Sequence, residues 1–215
     1  MSPVAKKKAE PKGAPKVAAK AASDVAPDGG AIRAYATAKD WSVWLKKHHA
    51  VPEGVWIRFF KKGSGVPTIT YAEALDEALC WGWIDGHVRA LDEQSWIHRF
   101  TPRRPRSSWS KLNREHVARL GKAGRMTPRG LAQVAAAKAD GRWDRAYESP
   151  SSHTIPDDFL QAVAQDKKTK AFFMSLNRAN LYAISYRLQT AKKPETRERR
   201  FAQILAMLKE GKKFH

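Results

Sequence analysis

The feature that most constrains the fold is a pair of strand-like runs joined by a short polar turn. The segment "IDGHVRALDEQSWIHRF" predicts a hairpin with a strand near 86–91, a turn at 92–94 and a strand near 95–101. Earlier in the chain, "VWIRFFKK" (55–62) is apolar and aromatic on both faces, which indicates an interior strand. Helical periodicity surrounds these runs. The sequence therefore predicts an α+β fold with a small, mainly antiparallel sheet and packed helices.

Helix start and stop signals flank the predicted sheet. Asp40 is the expected cap of a first helix, whose tryptophans and leucine recur at helical spacing. Thr70 begins a second helix that Gly82 ends, and Thr127–Pro128 begin another that runs to about Ala139. Five residues between the last two helices also have helical spacing: Trp109, Leu112, His116, Val117 and Leu120.

Composition divides the chain into three parts. Residues 1–30 contain no aromatic residue, leucine or isoleucine. We therefore expect a disordered basic N-terminal tail, which either tethers the protein to nucleic acid or only keeps it in solution. Residues 31–145 hold the strand-like runs and form the expected α+β domain. Residues 146–215 form a helical C-terminal region.

The positive charge of the chain is unevenly placed. The formal net charge is +19, and residues 97–129 hold 10 Lys+Arg against 1 Asp+Glu. Residues 187–215 hold 9 against 3, whereas residues 31–96 balance 8 against 8. An excess of this size predicts anionic partners such as phosphates, nucleic acid or anionic lipid. We expect the binding surface in the two basic segments.

Cysteine usage and hydropathy predict the compartment. The single cysteine, Cys80, cannot form an internal disulfide, and no stretch approaches the roughly 18 apolar residues of a membrane helix. The N-terminal lysines are not followed by the apolar segment of a secretory signal. We therefore expect a cytoplasmic protein without a transmembrane segment. The sequence has no P-loop or G-x-G-x-x-G pattern, so no cofactor is expected.

The block "IHRFTPRRPRSSWSKLN" combines arginines with serines at the start of a predicted helix. Arg99 and Arg103 can make bidentate contacts with phosphate or carboxylate. Ser108 and Ser110 lie where a helix N-terminus attracts an oxyanion. The alternative is that one serine caps the helix while the arginines are solvated or paired with acids of residues 31–96. The density of cations favours an anion-binding or nucleic-acid-binding surface.

Aromatic and acidic residues near this block extend the candidate ligand site. Aromatic rings interleaved with arginines suit the stacking of bases or of a ligand's ring. Trp83 and Trp109 also fall on apolar stripes, and for these two we favour a place in the core. The candidates of this group are Trp81, Trp83, Asp85 and Trp109.

Titratable residues of the hairpin raise two alternatives, a metal site and an enzyme. His87 and His98 can face each other across the hairpin, but no zinc-ligand spacing is present and we expect no metal. The alternative function is an enzyme for a small molecule, with Asp85, His98 and Ser108 in one cleft. An S-x-x-K match at residues 108–111 lacks its companion motifs, so it does not support nucleophilic catalysis.

The last predicted helix is basic and amphipathic. Arg197, Arg199 and Arg200 lie opposite an apolar stripe, and Glu195 can pair with Arg199 four residues later. Such a helix binds a membrane surface or nucleic acid, or it docks on its own domain, which we favour. A protein–protein adaptor that uses the C-terminal helices is a further alternative function.

Four separated motifs resemble the YdeI/OmpD-associated family, also called bacteriocin-protection proteins. They are "YAEALDEALCWGWIDG", "RFTPRRPRSSWSKLN", "GRMTPRGL" and "TAKKPETRERR", and the resemblance spans roughly residues 32–215. The positions that match are Trp83, Asp85, Gly86, Arg99, Phe100, Thr101, Pro102, Arg103, Ser108, Trp109, Ser110 and Asn113, with Lys192, Thr196 and Arg197 near the C-terminus.

The resemblance implies a link to a porin and to tolerance of cationic antimicrobial peptides or bacteriocins, in some members from the periplasm. It implies no catalytic residue, and it adds Thr101 and Asn113 to the candidate ligand residues. The expected lack of a secretory signal departs from the periplasmic picture. Residues and resemblance together predict a non-enzymatic binding protein with a basic, aromatic surface for an anionic ligand, with nucleic acid as one form of that ligand.

Overall fold

The computed structural model describes residues 25–149 and 152–215, and it confirms the predicted α+β class. Most of the predicted tail, residues 1–24, lies outside the described residues. The strands in chain order are β1 (Ile32–Ala34), β2 (Val55–Phe60), β3 (Trp83–Ala90) and β4 (Ser95–Pro102). They form a sheet of order β1-β2-β4-β3, in which β1 is parallel to β2 and the other neighbours are antiparallel. The predicted interior strand is thus β2.

Eight helices accompany the sheet in the described ranges. They are α1 (Ala38–His48), α2 (Tyr71–Cys80), α3 (Lys111–Lys122), α4 (Pro128–Ala139), α5 (Asp157–Ala164), α6 (Lys167–Met174), α7 (Arg178–Gln189) and α8 (Pro194–Lys209).

Helix capping follows the predicted residues with one difference. Thr70 caps α2 and Thr127 caps α4, as predicted. The cap of α1 is Thr37, whose hydroxyl oxygen accepts from the Asp40 N–H at 3.2 Å. The Asp40 carboxylate accepts in return from the Thr37 N–H at 3.1 Å. Asp40 is therefore the third helical residue of a reciprocal capping box, and its prediction as the cap was wrong by three positions.

The predicted stripe of α3 is only partly correct. Ser110 is the cap, so Trp109 precedes the helix and belongs to the loop before it. Leu112 is 44% exposed, while Val117 and Leu120 are buried against α2 and α4. The helix begins later than the aromatic spacing indicated because its start is set by the capping hydroxyl.

The predicted hairpin is present as β3 and β4, and it contains a β-bulge. Asp85 pairs with Phe100 and Val88 with His98, so the pairing register shifts between Asp85 and Val88. His98 is buried on the side of the sheet that α2 covers. His87 instead lines a shallow cleft on the opposite side, beside Trp56 and Arg99. The expectation that His87 and His98 face each other is therefore not met.

The two faces of the sheet are covered differently. One face packs under α1 and α2 with a buried aromatic cluster that includes Trp41, Phe59, Trp83 and Phe100. On the other face, residues 25–30 form a turn over Trp56 and Ile97. This turn belongs to the segment that the sequence assigned to the tail, so the described fold begins before residue 31.

Close approach of α4 to the end of α2 requires two glycines. Gly82 has φ +74°, a left-handed conformation that ends the helix region at Trp81 without a Cβ penalty. Gly130 lies in the first turn of α4 against the Cys80 carbonyl, where an added Cβ would clash with backbone. This contact places the start of α4 and the "WGW" turn side by side.

The C-terminal helices have a separate buried cluster. Phe159, Ile184 and Leu208 are at most 1% exposed and come from α5, α7 and α8. Arg197 of α8 pairs with Asp158 of α5 at 2.7 Å, and Arg200 donates to the Arg187 carbonyl at 2.8 Å. The helix α8 is therefore packed on its own region, as the sequence favoured.

Candidate functional site

The bulge in the hairpin assembles a small polar cluster from two predicted residues. The Tyr71 hydroxyl donates to the Asp85 carboxylate at 2.8 Å, and His98 Nε2 lies 3.6 Å from the same carboxylate. His98 also contacts the Gly86 carbonyl through Nε2 at 3.1 Å, and its ring stacks on Tyr71. Burial lowers the pKa of His98, an effect that Asp85 partly offsets. Burial and Asp85 both raise the pKa of Tyr71.

The cluster does not include the third residue of the enzyme alternative. Ser108 is exposed, and its carbonyl accepts from Arg103 Nη1 at 3.0 Å. Within the described ranges, no hydrogen bond joins the Ser108 side chain to Asp85 or His98. Asp85 and His98 are thus brought together without a serine nucleophile beside them.

Arg103 is a buried cation over an indole ring. Its guanidinium carbon lies 3.5 Å from the centre of the Trp109 ring, and the side chain is 5% exposed. Burial lowers the pKa of Arg103 to about 10, so the group remains charged at neutral pH. Its Nε and Nη2 atoms, and Nε1 of Trp109, are buried without a partner among the described atoms. Arg103 and Trp109 therefore support the loop before α3 from inside.

Arg99 lies apart from Arg103, on the other face of the sheet. It pairs with Asp28 at 2.8 Å and donates to the Glu53 carbonyl at 2.9 Å. Its neighbour Thr101 packs closely against Gly54. Arg99 and Thr101 therefore connect β4 to the turn of residues 25–30 and to the segment that precedes β2. The structure does not bring Arg99 and Arg103 into one site.

The serine and asparagine at the start of α3 satisfy the helix itself. The Ser110 hydroxyl oxygen accepts from the Asn113 N–H at 3.1 Å, and both residues are 8% exposed. The Lys111 N–H donates to the Tyr147 carbonyl at 2.8 Å. The protein's own groups thus occupy two of the N–H donors that an oxyanion would use.

The tryptophans of the candidate set lie mainly in the interior. Trp83 is fully buried and its Nε1 donates to the His49 carbonyl at 2.9 Å. Trp81 is partly exposed and stacks on the His49 ring at 5.2 Å between ring centres. Since Trp109 is also buried, Trp81 alone among the three offers part of its ring to solvent.

Several cations of the basic block are paired with acids from residues 31–96. Arg119 binds Asp76 at 2.7 Å, and Arg125 binds Glu77 at 2.6 Å. Arg104, Arg106, Lys122 and Arg129 are exposed and form no ion pair with the described residues. The alternative of internal pairing therefore applies to part of the block only.

A cationic cleft lies where the α+β region meets the C-terminal helices. We call it the basic seam and define it by Ser107, Ser108, Arg142, Arg145 and Lys192. Its cavity measures about 30 Å³ and is closed on the C-terminal side by residues 189–192. Ser108 and Lys192, two positions of the family resemblance, line the same cavity.

Hydrogen bonds hold the seam arginines in place. Arg142 Nη1 donates to the Ser107 carbonyl at 3.0 Å, and its Nε binds Asp140 at 2.6 Å. Arg145 donates to the Asp140 carbonyl at 2.9 Å. The bond from Arg142 is the main cause that lowers the pKa of Asp140. The Asp140 carboxylate thus pairs with Arg142, Arg145 binds the carbonyl of the same residue, and the seam keeps an excess of positive charge.

Arg142 and Arg145 were not predicted from the sequence. They lie outside the two segments of high net charge, in a stretch whose charges nearly balance. The local pattern "GRWDR", two arginines flanking a tryptophan after a helix-ending glycine, was the available signal. Lys192 was noted only through the resemblance.

Glu148 joins the two sides of the seam. Its carboxylate accepts from Lys111 at 3.0 Å, from the Thr154 N–H at 2.7 Å and from Gln189 Nε2 at 3.0 Å. The hydrogen bonds from Gln189 and Lys111 are the largest causes that lower the pKa of Glu148 to about 2. This ionised group therefore connects the start of α3 to the end of α7.

Three further features of the described ranges concern metal ligands, membrane-spanning helices and the thiol. No group of three or more histidine, cysteine, aspartate or glutamate side chains there is arranged to hold a metal ion. No helix of residues 25–149 and 152–215 is long and apolar enough to cross a membrane. Cys80 is buried, and burial together with Glu77 raises the pKa of its thiol to about 11.

Comparisons with known proteins divide the chain near the seam. Residues 33–133 match the family model of a domain of unknown function, DUF8412, and residues 152–211 match OmdA, "Bacteriocin-protection, YdeI or OmpD-Associated". Neither the curated proteins nor the solved structures give a significant match. The tryptophan and arginine motifs lie in the first match, and the "TAKKPETRERR" motif lies in the second. The segment 152–211, which holds the C-terminal helices, is therefore similar to the domain of the YdeI/OmpD-associated, bacteriocin-protection family.

Proposed function

We propose that the protein is a non-enzymatic binding protein that holds phosphate groups of nucleic acid at the basic seam. The observation that carries this proposal is the convergence of Arg142, Arg145 and Lys192 on one cleft, beside the serine turn that ends in Ser108. Guanidinium and ammonium groups are the side chains that bind phosphate in proteins. The backbone of nucleic acid presents such groups in series.

The size of the cleft favours a phosphate of a larger molecule over a free metabolite. A cavity of about 30 Å³ holds roughly two water-sized groups. That space receives the oxygens of one phosphate and leaves the rest of the ligand outside. Arg104 and Arg106 are exposed on the turn beside Ser107, where they reach neighbouring phosphates of the same strand. Binding of this kind is independent of base sequence.

A titration of labelled DNA and RNA at about 50 and 200 mM salt tests the proposal. The seam variant combines Arg145→Glu with Lys192→Glu. The matched control combines Lys122→Glu with Arg129→Glu, which changes the net charge equally at exposed positions away from the seam. We expect the seam variant to lose at least about tenfold more affinity than the control, and its slope of log K against log salt to fall by about 2. Fluorescence anisotropy measures both quantities.

Two results would contradict the proposal. The first is equal loss of affinity in the seam and control variants, which would mean that only total charge matters. The second is the absence of binding to both nucleic acids at the lower salt concentration. Inorganic phosphate serves as a competitor, and we expect it to displace nucleic acid only weakly because it makes a single contact.

The family description adds a physiological setting to the proposal. It names bacteriocin protection for the domain that closes the seam. We place the protein in the cytoplasm, which its single cysteine favours. A strain that lacks the gene, complemented with the wild-type chain or with the seam variant, tests whether survival under bacteriocin challenge requires the seam. Equal survival with both chains would show that bacteriocin tolerance does not require the seam.

A further inference from the structure

A second cavity lies in the C-terminal domain and differs from the seam in size and chemistry. It measures about 320 Å³ and lies between the end of α7, the face of α8 and the C-terminal segment. We call it the α7–α8 cleft and define it by Arg187, Arg200, Gln203, Ile204, Met207 and Phe214. Its volume is at the lower end of the range for small-ligand sites.

The lining of the α7–α8 cleft combines apolar side chains with two arginines. Ile204 is 3% exposed, and Met207 and Phe214 are partly buried beside it. The Arg187 guanidinium lies 4.2 Å from the centre of the Phe214 ring. Arg200 donates through Nη1 to the Arg187 carbonyl, so its guanidinium lies beside the end of α7. Among the described residues, no aspartate or glutamate lines this cleft.

Neither arginine is neutralised by the protein. Among the described residues, Arg187 and Arg200 form no ion pair, whereas Arg197 of the same helix pairs with Asp158. An anion that binds either guanidinium has no carboxylate of the described residues to displace. The cleft therefore presents two unpaired cations beside apolar walls.

The wall that carries Phe214 is fixed in place. Asn180 of α7 is 1% exposed, and its side-chain oxygen accepts from the Phe214 N–H at 2.9 Å and from the His215 N–H at 3.1 Å. Asn177 in turn accepts from the Asn180 amide at 2.8 Å. These bonds hold the chain end against α7, so the cleft is built before any ligand arrives. A preformed site loses less entropy on binding.

We propose that the α7–α8 cleft binds a small amphiphilic anion, with a carboxylate or phosphate head at the two arginines and an apolar body against Ile204, Met207 and Phe214. This site goes beyond the proposed function, because nucleic acid presents no apolar body of this kind. Thr190 lines both cavities, so the cleft and the seam are neighbours on opposite sides of the end of α7.

Methyl NMR of the 215-residue chain labelled at methionine tests the site. Met207 lies in the cleft, while Met126 packs near α3 and α4, and Met174 is 74% exposed on α6. Octanoate and octyl phosphate are the probes, with octanol as the uncharged control and acetate as the control without an apolar body. We expect a saturable shift of the Met207 methyl signal with both anions, and at least about tenfold weaker binding of octanol and acetate.

Two variants test whether the positive charge of the cleft contributes to binding, and a third serves as their control. Arg187→Gln removes a cation, and Gln203→Glu places a negative charge at an exposed position of the mouth. Each is expected to weaken octanoate binding about tenfold. Arg199→Gln removes an exposed cation of α8 that does not line the cleft, and it should leave the affinity for octanoate within about twofold of the wild type.

Three outcomes would overturn the inference. They are shifts of equal size at Met174 and Met207, equal affinity for octanoate and octanol, and equal effects of Arg187→Gln and Arg199→Gln. Octanoate binding is also expected to be unchanged in the Arg145→Glu/Lys192→Glu variant. The cleft and the nucleic-acid proposal can therefore fail separately.

Discussion

Residues 25–149 and the C-terminal helices at 152–215 differ in their aromatic residues and in the partners of several arginines. All eight tryptophans lie in residues 25–149, and the C-terminal domain at 152–215 packs with phenylalanine, leucine and isoleucine instead. In the first region, Arg99 and Arg119 are paired with acids and Arg103 is buried over Trp109. In the second, Arg187 and Arg200 have no acid partner among the described residues.

A count of the cations in a segment therefore does not show which of them are free to bind a ligand. Residues 97–129 have the highest net charge, yet their arginines are largely occupied by acids, a ring or carbonyl groups. Other cations without an ion pair among the described residues lie outside that block: Arg145 and Lys192 at the seam, and Arg187 and Arg200 in the α7–α8 cleft. Burial and pairing decide which cations remain available to a ligand.

Separate hydrophobic clusters predict that the two regions unfold in separate transitions, and this prediction has the largest expected effect. Trp83→Ala and Phe159→Ala each remove a fully buried ring and should each cost about 3–5 kcal/mol of unfolding free energy. Because the second region contains no tryptophan, tryptophan fluorescence follows the first region alone. We expect Phe159→Ala to lower the midpoint at which the C-terminal helices unfold, measured by circular dichroism. The midpoint measured by tryptophan fluorescence should remain nearly unchanged.

Trp83→Ala provides the reciprocal measurement. It should lower the fluorescence midpoint through the seven remaining tryptophans. If Phe159→Ala moves both midpoints by the same amount, the regions form one cooperative unit and the comparison fails.

Local signals in the sequence predicted much of the fold. The hairpin, the interior strand and the caps at Thr70 and Thr127 depend on residues within a few positions, so a single sequence is sufficient for them. The bulge at Gly86–His87 was not predictable from alternation alone. It moves His87 to the opposite face, which removes the expected histidine pair.

The candidate site depended on contacts that are distant in sequence. Arg99 finds Asp28 only because residues 25–30 fold back over the sheet. Arg142 and Lys192 meet only because the C-terminal helices dock beside the turn at Ser107. Neither contact has a periodic or spacing signal, so neither could be predicted from the sequence alone.

Glu148 couples the two regions, and its ionisation should make that coupling depend on pH. The folded-state pKa of about 2 lies below the usual carboxyl value, so the stabilisation is complete above the unfolded-state pKa near 4.5. It is lost as the pH falls from about 4.5 towards 2. Glu148→Gln should therefore cost about 2 kcal/mol at neutral pH, through loss of charge-assisted hydrogen bonds, and progressively less below pH 4.5.

Urea unfolding of the wild type and of Glu148→Gln between about pH 3 and pH 7 measures this effect. Glu210→Gln is a control, because Glu210 is exposed and, among the described residues, forms its ion pair with its near neighbour Lys212. A constant stability difference between wild type and Glu148→Gln across this pH range would show that the Glu148 carboxylate does not join the regions through its charge.

The smallest effect concerns the paired and unpaired cations themselves. Arg119→Gln breaks the ion pair with Asp76, but the Arg119 side chain is 54% exposed. We therefore expect a loss of only about 0.5 kcal/mol at about 20 mM salt, and almost none at about 500 mM. Arg187→Gln breaks no ion pair but removes the contact with the Phe214 ring, so we expect a loss of about 0.5 kcal/mol that differs little between the two salt concentrations. Urea midpoints at the two salt concentrations measure both changes. An equal dependence on salt in both variants would contradict the contrast between a paired and an unpaired arginine.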